Sequence, residues 1–298
     1  MQELKKNIQH IHSEQNINMS ITRIYRDRDN KIKVEKFSFE EVKKDLTKLL
    51  SHDNGINKKG LFMKKLEFIK SKKLLNIDNN AKTVKGQKYG YMTAVLYLAP
   101  SNESGFNVCP QASQGCKKAC LYTAGHGAFS SVKQGRINKT RWYIQERDSF
   151  LDQLRKEINA FILKAKNKNL IPCIRLNGTS DISWEKTGLI DEYKSIQWYD
   201  YTKIYKRALA FVNGELPSNY HLTYSLNEDN RNDAFDILNR GGNISAVFRK
   251  SLPKKYYGFK VVNADDSDLR FLDGDNIIAG LIAKGKARND YSGFVLDN

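Results

Sequence analysis

The sequence predicts a mixed α/β protein whose parallel strands form a barrel or partial barrel, preceded by a small basic α+β segment. Short apolar runs alternate with amphipathic stretches from residue 89 onward, which is typical of βα units. At least six such strands follow one another, enough for a barrel. The first run, residues 91–98, is almost continuously apolar, as expected for a strand buried on both faces. We therefore divide the chain into residues 1–88 and residues 89–298.

Residues 1–88 predict an α+β arm or subdomain. Residues 21–26 and 31–39 alternate as two short strands do, around the polar turn at 27–30. Ser38 and Glu41 then form a capping-box pattern at the start of a helix. A second helix is predicted over residues 61–75 from the helical spacing of its apolar residues.

The remaining elements alternate in type along the chain. Strands are predicted at residues 91–98, 172–176, 196–201, 221–226, 244–249, 260–262 and 277–282. Helices are predicted at residues 131–147, 149–166, 184–193, 204–211 and 230–239.

The charge is strongly positive and unevenly distributed. The chain has 50 Lys and Arg against 33 Asp and Glu, a net charge of +17, of which +10 lies in residues 1–88. A basic segment attracts polyanions, so nucleic acid is a candidate partner of this segment. Lysines spread over solvated surfaces explain the same charge equally well. No apolar run is long enough to span a membrane and no signal peptide is evident, so we expect a cytoplasmic protein with no membrane partner.

Polar side chains recur on one face of the predicted strands and in the loops that follow. Side chains alternate across a strand, so the residues at 173, 175 and 177 share one face, as do those at 221, 223 and 225. The carboxyl ends of parallel strands are where barrel enzymes build their sites. The candidate catalytic residues are therefore Arg175, Asn177, Asp181, Asp200, Lys203 and Ser225. The alternative is structural: Asp181 or Ser180 caps a helix, and Asp200 pairs with Lys203.

Three cysteines stand close together in the loop after the first buried strand. Cys109, Cys116 and Cys120 have the spacing C-x6-C-x3-C, and the intervening residues are mostly polar. Thiolates are soft ligands suited to zinc and to iron–sulfur centres, so metal binding is favoured over a disulfide framework. Two interpretations stay open. Together with His126 the cysteines would complete a structural zinc site, or they would hold three irons of a [4Fe–4S] cluster and leave the fourth iron open.

A three-cysteine loop after the first strand of a partial barrel resembles radical S-adenosylmethionine enzymes. Their usual spacing is C-x3-C-x2-C, and Asn177-Gly178-Thr179 stands where their glycine-rich element would be. The resemblance implies a [4Fe–4S] cluster on the three cysteines and S-adenosylmethionine as a candidate cofactor. The basic motif at residues 284–288 has cations spaced to hold a phosphate or carboxylate. Candidate cofactor-binding residues are Asn177, Ser180, Lys284 and Arg288.

Several ordered motifs between residues 88 and 297 also resemble a phage and plasmid family called gene product 88. They are the runs at residues 91–101, 107–110, 116–120, 175–182, 199–203, 220–225 and 284–288. The resemblance implies a mobile-element origin and brings no established activity. The function predicted from the residues is an iron–sulfur, radical-SAM-like enzyme on an unknown substrate. The alternative is a nucleic-acid-binding replication or accessory protein with a structural zinc site.

Overall fold

A computed structural model describes residues 20–26, 32–38, 65–77, 81–123 and 125–297. The chain divides into two units, residues 1–65 and 66–298. In the first unit, strands β1 (Ser20–Arg26) and β2 (Ile32–Ser38) pair antiparallel, as predicted from their alternation. The helix predicted to begin at Ser38 lies outside the described residues.

In the second unit, ten strands of the described residues form one sheet. They are β3 (Leu75–Ile77), β4 (Tyr91–Leu96), β5 (Ile171–Arg175), β6 (Gln197–Thr202), β7 (Tyr220–Ser225), β8 (Ile244–Phe248), β9 (Lys255–Tyr256), β10 (Phe259–Asn263), β11 (Ile277–Ile282) and β12 (Val295–Leu296).

Most of the sheet is parallel, in the order β4-β5-β6-β7-β8-β11-β10. The short strands β3 and β9 pair antiparallel at its two edges, and β12 extends the parallel pairing of β8 beyond the end of β7. The mixed α/β class is thus confirmed, whereas the sheet is not closed into a barrel. Its two edge strands, β3 and β9, are not hydrogen-bonded to each other, and each ends the parallel series with an antiparallel pair.

The longer α-helices pack against one face of this sheet. The structure describes seven α-helices. They are α1 (Ala81–Lys85), α2 (Gln114–Lys118), α3 (Ser130–Gln145), α4 (Arg147–Asn167), α5 (Leu189–Glu192), α6 (Tyr205–Val212) and α7 (Arg231–Asn239). The residues predicted as one helix at 184–193 form a 3-10 turn followed by the short α5. Of the helices that the structure describes, none is both long and apolar enough to cross a bilayer.

The alternation along the strands separates a helix-facing core from a polar inner face. On β5, Ile174 joins the apolar core beneath α3 and α4, whereas Cys173 packs with Tyr199 and Leu269 on the opposite face. Leu269 belongs to the connection from β10 to β11, so this connection covers part of the inner face. Covering the inner face with the connection from β10 to β11 is another way to bury that face, besides closing the sheet into a barrel.

The segment before β3 is not helical, contrary to the prediction of a helix over residues 61–75. Residues 65–74, the described part before β3, lack helix, and side chains of α3 and α4 satisfy part of their backbone. Gln145 accepts a hydrogen bond from the Leu66 backbone N–H at 2.7 Å and donates one to its carbonyl at 2.7 Å. The Glu157 carboxylate accepts from the backbone N–H groups of Leu74 and Leu75 at 2.8–2.9 Å. These long-range bonds replace the local ones that a helix would make.

Candidate functional site

A cavity of about 1890 Å³ lies on the inner side of the sheet. The strands β4 to β8 and β11, or the residues directly after them, all contribute to its wall. Parallel strands that end together present their following loops at one edge, which is where ligands bind in parallel α/β folds. The cavity is therefore the candidate functional site.

The three-cysteine loop forms one wall of this cavity. Cys109, Cys116 and Cys120 all line it and are half-buried, and none is in a disulfide. Burial, opposed by a hydrogen bond with the Ser101 backbone and aided by nearby negative charge, raises the pKa of the Cys109 thiol to about 12. Burial also raises the pKa of the Cys120 thiol. The thiols of Cys109 and Cys120 thus carry protons at neutral pH in the metal-free chain.

The geometry of the thiols is not that of a preformed ion site. Among the residues that the structure describes, no group of three His, Cys, Asp or Glu side chains is arranged to hold a metal ion. The Cys109 thiol instead lies 3.7 Å from the carbonyl oxygen of Thr179, in the loop after β5. His126 lines the same cavity and is exposed, with its ring edge against Phe129.

Glu228, in the loop after β7, anchors the cysteine loop. Its carboxylate accepts hydrogen bonds from the Ser113 hydroxyl at 2.7 Å and from the Gly115 backbone N–H at 2.6 Å. Ser113 in turn caps α2 by accepting from the Cys116 backbone N–H at 3.1 Å. A single carboxylate thereby fixes the helical turn that carries Cys116. Sequence reasoning missed Glu228, and its position directly after a predicted strand is the signal that would have found it.

Asn177 and Asp200, both predicted as catalytic residues, form a buried network instead of pointing free groups into the cavity. Asp200 accepts from the Asn177 backbone N–H at 2.7 Å and from the Tyr220 hydroxyl at 2.9 Å. Burial raises the pKa of Asp200 to about 7. The Asn177 side-chain oxygen accepts from the Ser180 hydroxyl and from the Trp184 indole N–H, which holds the loop after β5 in place.

Asp181 belongs to the same network through Arg207 of α6. The Arg207 guanidinium is 2.8 Å from Asp181 and 2.9 Å from Glu185, and it donates to the Tyr220 hydroxyl at 2.8 Å. Asp181 also accepts a hydrogen bond from the backbone N–H of Lys203 at 2.7 Å. The partner of Lys203 is therefore Asp181 and not Asp200, with which it was predicted to pair. These contacts make Asp181 and Asp200 parts of the support beneath the cavity.

The other predicted residues differ in how far their side chains are engaged. Arg175 lines the cavity, with its guanidinium 3.0 Å from Asp268 and stacked on the Tyr201 ring at 4.6 Å. Ser225 lines it too and shares a hydrogen bond of 3.1 Å with the hydroxyl of Ser245.

The basic motif at residues 284–288 is split by the fold. Lys284 lines the cavity, but its ammonium pairs with Asp265 at 2.7 Å, and Lys82 pairs with the same carboxylate at 2.8 Å. Although burial raises the pKa of Asp265, the two lysines hold it well below its usual range. Arg288 is not part of the cavity wall, and its Nε donates to the Ala283 carbonyl at 3.4 Å.

Comparison with known proteins adds a family-level match. A family model described as Gene product 88 matches residues 70–298, which is most of the chain and contains the whole cavity wall. No curated protein and no solved structure matches the chain significantly.

Proposed function

The chain belongs to the gene product 88 family, a phage-type family, and we propose that within it this protein is an iron–sulfur enzyme of the radical-SAM-like kind. In this proposal Cys109, Cys116 and Cys120 hold a [4Fe–4S] cluster at the edge of the cavity, and the open parallel sheet serves as a partial barrel. The observation that carries it is the meeting of three free thiols on one large cavity at the ends of parallel strands.

The donor set favours an iron–sulfur cluster over a single ion. Three thiolates leave one iron of a four-iron cluster without a protein ligand, whereas a structural zinc site needs four ligands. The fourth zinc ligand would be His126, whose exposed ring makes an edge-on contact with Phe129. A cluster is also wider than one ion, and the three cysteines that would hold it line one cavity wall.

The surrounding residues have supporting roles. Glu228 holds the turn that carries Cys116, and the Asn177–Asp200 pair fixes the loop that faces Cys109. Of the residues predicted to bind the cofactor, we propose Lys284, which lines the cavity, as the one that would contact S-adenosylmethionine, whereas the mutually bonded Asn177 and Ser180 would shape the loop beside it. When bound, a reduced cluster supplies the electron that cleaves the sulfonium of this cofactor. The chain's part is to bind, orient and keep water away from the reacting groups.

Metal analysis after anaerobic purification tests this proposal. We expect iron, acid-labile sulfide and a broad visible absorption in the wild type, and their loss in the single variants Cys109→Ala, Cys116→Ala and Cys120→Ala. Cys173→Ala is the matched control, because this thiol is buried in the sheet and contacts the Thr93 hydroxyl at 3.1 Å. Stoichiometric zinc without iron would refute the cluster.

The nucleic-acid partner remains a proposal that rests on the basic residues 1–88. Full-length protein titrated with oligonucleotides at rising salt concentration measures it. We expect the logarithm of the binding constant to fall linearly with the logarithm of the salt concentration. Binding that is absent at low salt would end this part of the proposal.

A further inference from the structure

Arg136, on α3, lines the cavity, and one nitrogen of its guanidinium lacks a hydrogen-bond partner within the described part of the chain. Its guanidinium stacks on the ring of Tyr97 at 4.9 Å and on the ring of Tyr122 at 5.6 Å. Its Nη1 atom is buried and has no hydrogen-bond partner among the described residues. The hydroxyl of Tyr122 is equally buried and, within the same described ranges, equally without a partner. Two adjacent polar groups that line the cavity therefore lack an acceptor.

The buried acids of the cavity wall do not neutralise this charge. Asp181, Asp265 and Asp268 line the cavity, and each already pairs with another cation, as described above. Glu103 is the acid whose charge acts most strongly on Tyr122. This charge raises the pKa of the Tyr122 hydroxyl, although burial raises it more. Glu103 is exposed, however, so water competes for it.

Further cations lie around the same point. Lys203 lines the same cavity as Arg136 and Tyr122, and its backbone N–H bonds to Asp181. Lys139, one turn along α3, donates to the Leu74 carbonyl at 2.8 Å, and burial with the charge of Arg136 lowers its pKa to about 8. Arg136, Lys139 and Lys203 thus place three basic side chains on the wall of this cavity.

We propose that Arg136, Tyr122 and Lys203 bind an oxyanion, either phosphate or carboxylate, carried by the substrate. Leaving a buried donor without an acceptor is unfavourable, and an anionic ligand would supply the missing acceptors. The planar guanidinium matches two oxygens of a phosphate or carboxylate, and the ring faces on either side hold it in orientation. The site lies beside Cys120, so the inference deepens the proposed function by naming the substrate class. The anion site itself does not depend on a cluster being bound.

Calorimetric titration of the full-length protein tests the site, with inorganic phosphate in one arm and acetate in the other. We expect saturable binding of at least one anion. The anion that binds more tightly identifies whether the group on the substrate is a phosphate or a carboxylate. Arg136→Gln should weaken binding about tenfold or more, because a charge-assisted contact is lost. Tyr122→Phe keeps the ring and removes only the hydroxyl, so it should weaken binding less.

Arg147→Gln is the matched control, because Arg147 also stacks on a tyrosine, Tyr143 at 4.9 Å, but lies outside the cavity wall. It removes the same charge and should leave anion binding unchanged. Equal loss in both arginine variants would overturn the proposal, because net charge alone would then explain the binding. So would wild-type affinity in Arg136→Gln, or no saturable binding of either anion by the wild type.

The failure of this site and the failure of the cluster can be told apart. A variant with Cys109, Cys116 and Cys120 all changed to alanine should still bind the anion, since none of the three donates to it. If the wild type holds no iron yet binds phosphate through Arg136, only the proposed cluster is wrong. If it holds iron but Arg136→Gln binds as the wild type does, only the anion site is wrong.

Discussion

Two buried titratable side chains, Asp200 and His221, should give the stability opposite dependences on pH. Burial raises the pKa of Asp200 from 3.8 to about 7, although the Asn177 N–H and nearby arginines oppose this. Burial also lowers the pKa of His221 from 6.5 to about 4, aided by the charge of Arg270 and opposed by that of Asp275. The two shifts overlap in the same range of pH.

The sign of each contribution follows from which state holds the proton. Between pH 3.8 and about 7, folded Asp200 keeps a proton that the unfolded chain has released, so the free energy of unfolding falls as the pH rises. Between about pH 4 and 6.5, the unfolded chain holds a proton on His221 that the folded protein lacks, so this free energy rises. Each group alone gives a slope of about 1.4 kcal/mol per pH unit. Together they should nearly cancel.

Each single variant removes one of the two opposing contributions to the pH dependence of the free energy of unfolding. Between about pH 4 and pH 6.5, the free energy of unfolding of Asp200→Asn should rise with pH by about 1.4 kcal/mol per pH unit relative to the wild type. In His221→Gln it should fall by a similar amount per unit. Only slopes are compared, because Asp200→Asn also disturbs the hydrogen bonds to Asn177 and Tyr220.

Urea unfolding at several pH values measures these slopes, with fluorescence of the buried Trp184 and Trp198 as the signal. The double variant Asp200→Asn/His221→Gln should return to the nearly flat profile of the wild type. If Asp200→Asn has the wild-type slope, Asp200 is ionised in the folded protein and the argument from burial fails.

Three other substitutions probe separate parts of the structure. Arg207→Met leaves two buried carboxylates unpaired and should lower the free energy of unfolding by about 3–5 kcal/mol in urea titrations; a loss below about 1 kcal/mol would contradict the pairing. Glu228→Ala should release the cysteine loop, so that iodoacetamide alkylates Cys116 faster than in the wild type, and an unchanged rate would exclude the anchoring role. Gly178→Ala places a Cβ 2.6 Å from a ring carbon and 2.7 Å from a backbone oxygen at the end of β4, so it should cost about 1–3 kcal/mol. The control is Gly135→Ala, inside a helix, where the added Cβ meets nothing within 4 Å. This substitution should stabilise the protein by about 0.5–1 kcal/mol. Equal effects of the two substitutions on stability would show that the close approach at Gly178 is unimportant.

The strands were predictable because their signal is local. Residues 277–282 were predicted as a strand with the bounds that β11 has, and the alternation on β5 and β7 separates polar from apolar side chains by position alone. Neighbouring residues carry this pattern, so no knowledge of distant partners is needed.

The segment before β3 shows where local reasoning fails. Its apolar spacing predicts a helix, but Gln145 and Glu157, about 80 residues away along the chain, bind its backbone and keep it extended. A pattern read from neighbouring residues cannot include such partners, and tertiary contacts override local propensity.

The sequence by itself determined the α/β class, the faces of the strands and the clustering of three thiols in one short loop, since all of these depend on residues close together in the chain. Only the tertiary structure decided which polar groups are engaged. It pairs Arg175 with Asp268 and Asp181 with Arg207, and it leaves the Nη1 atom of Arg136 without an acceptor among the described residues. The physical reason is that a charge is satisfied by whatever the fold brings within a few ångströms, and these partners lie 26 to 93 residues apart along the chain.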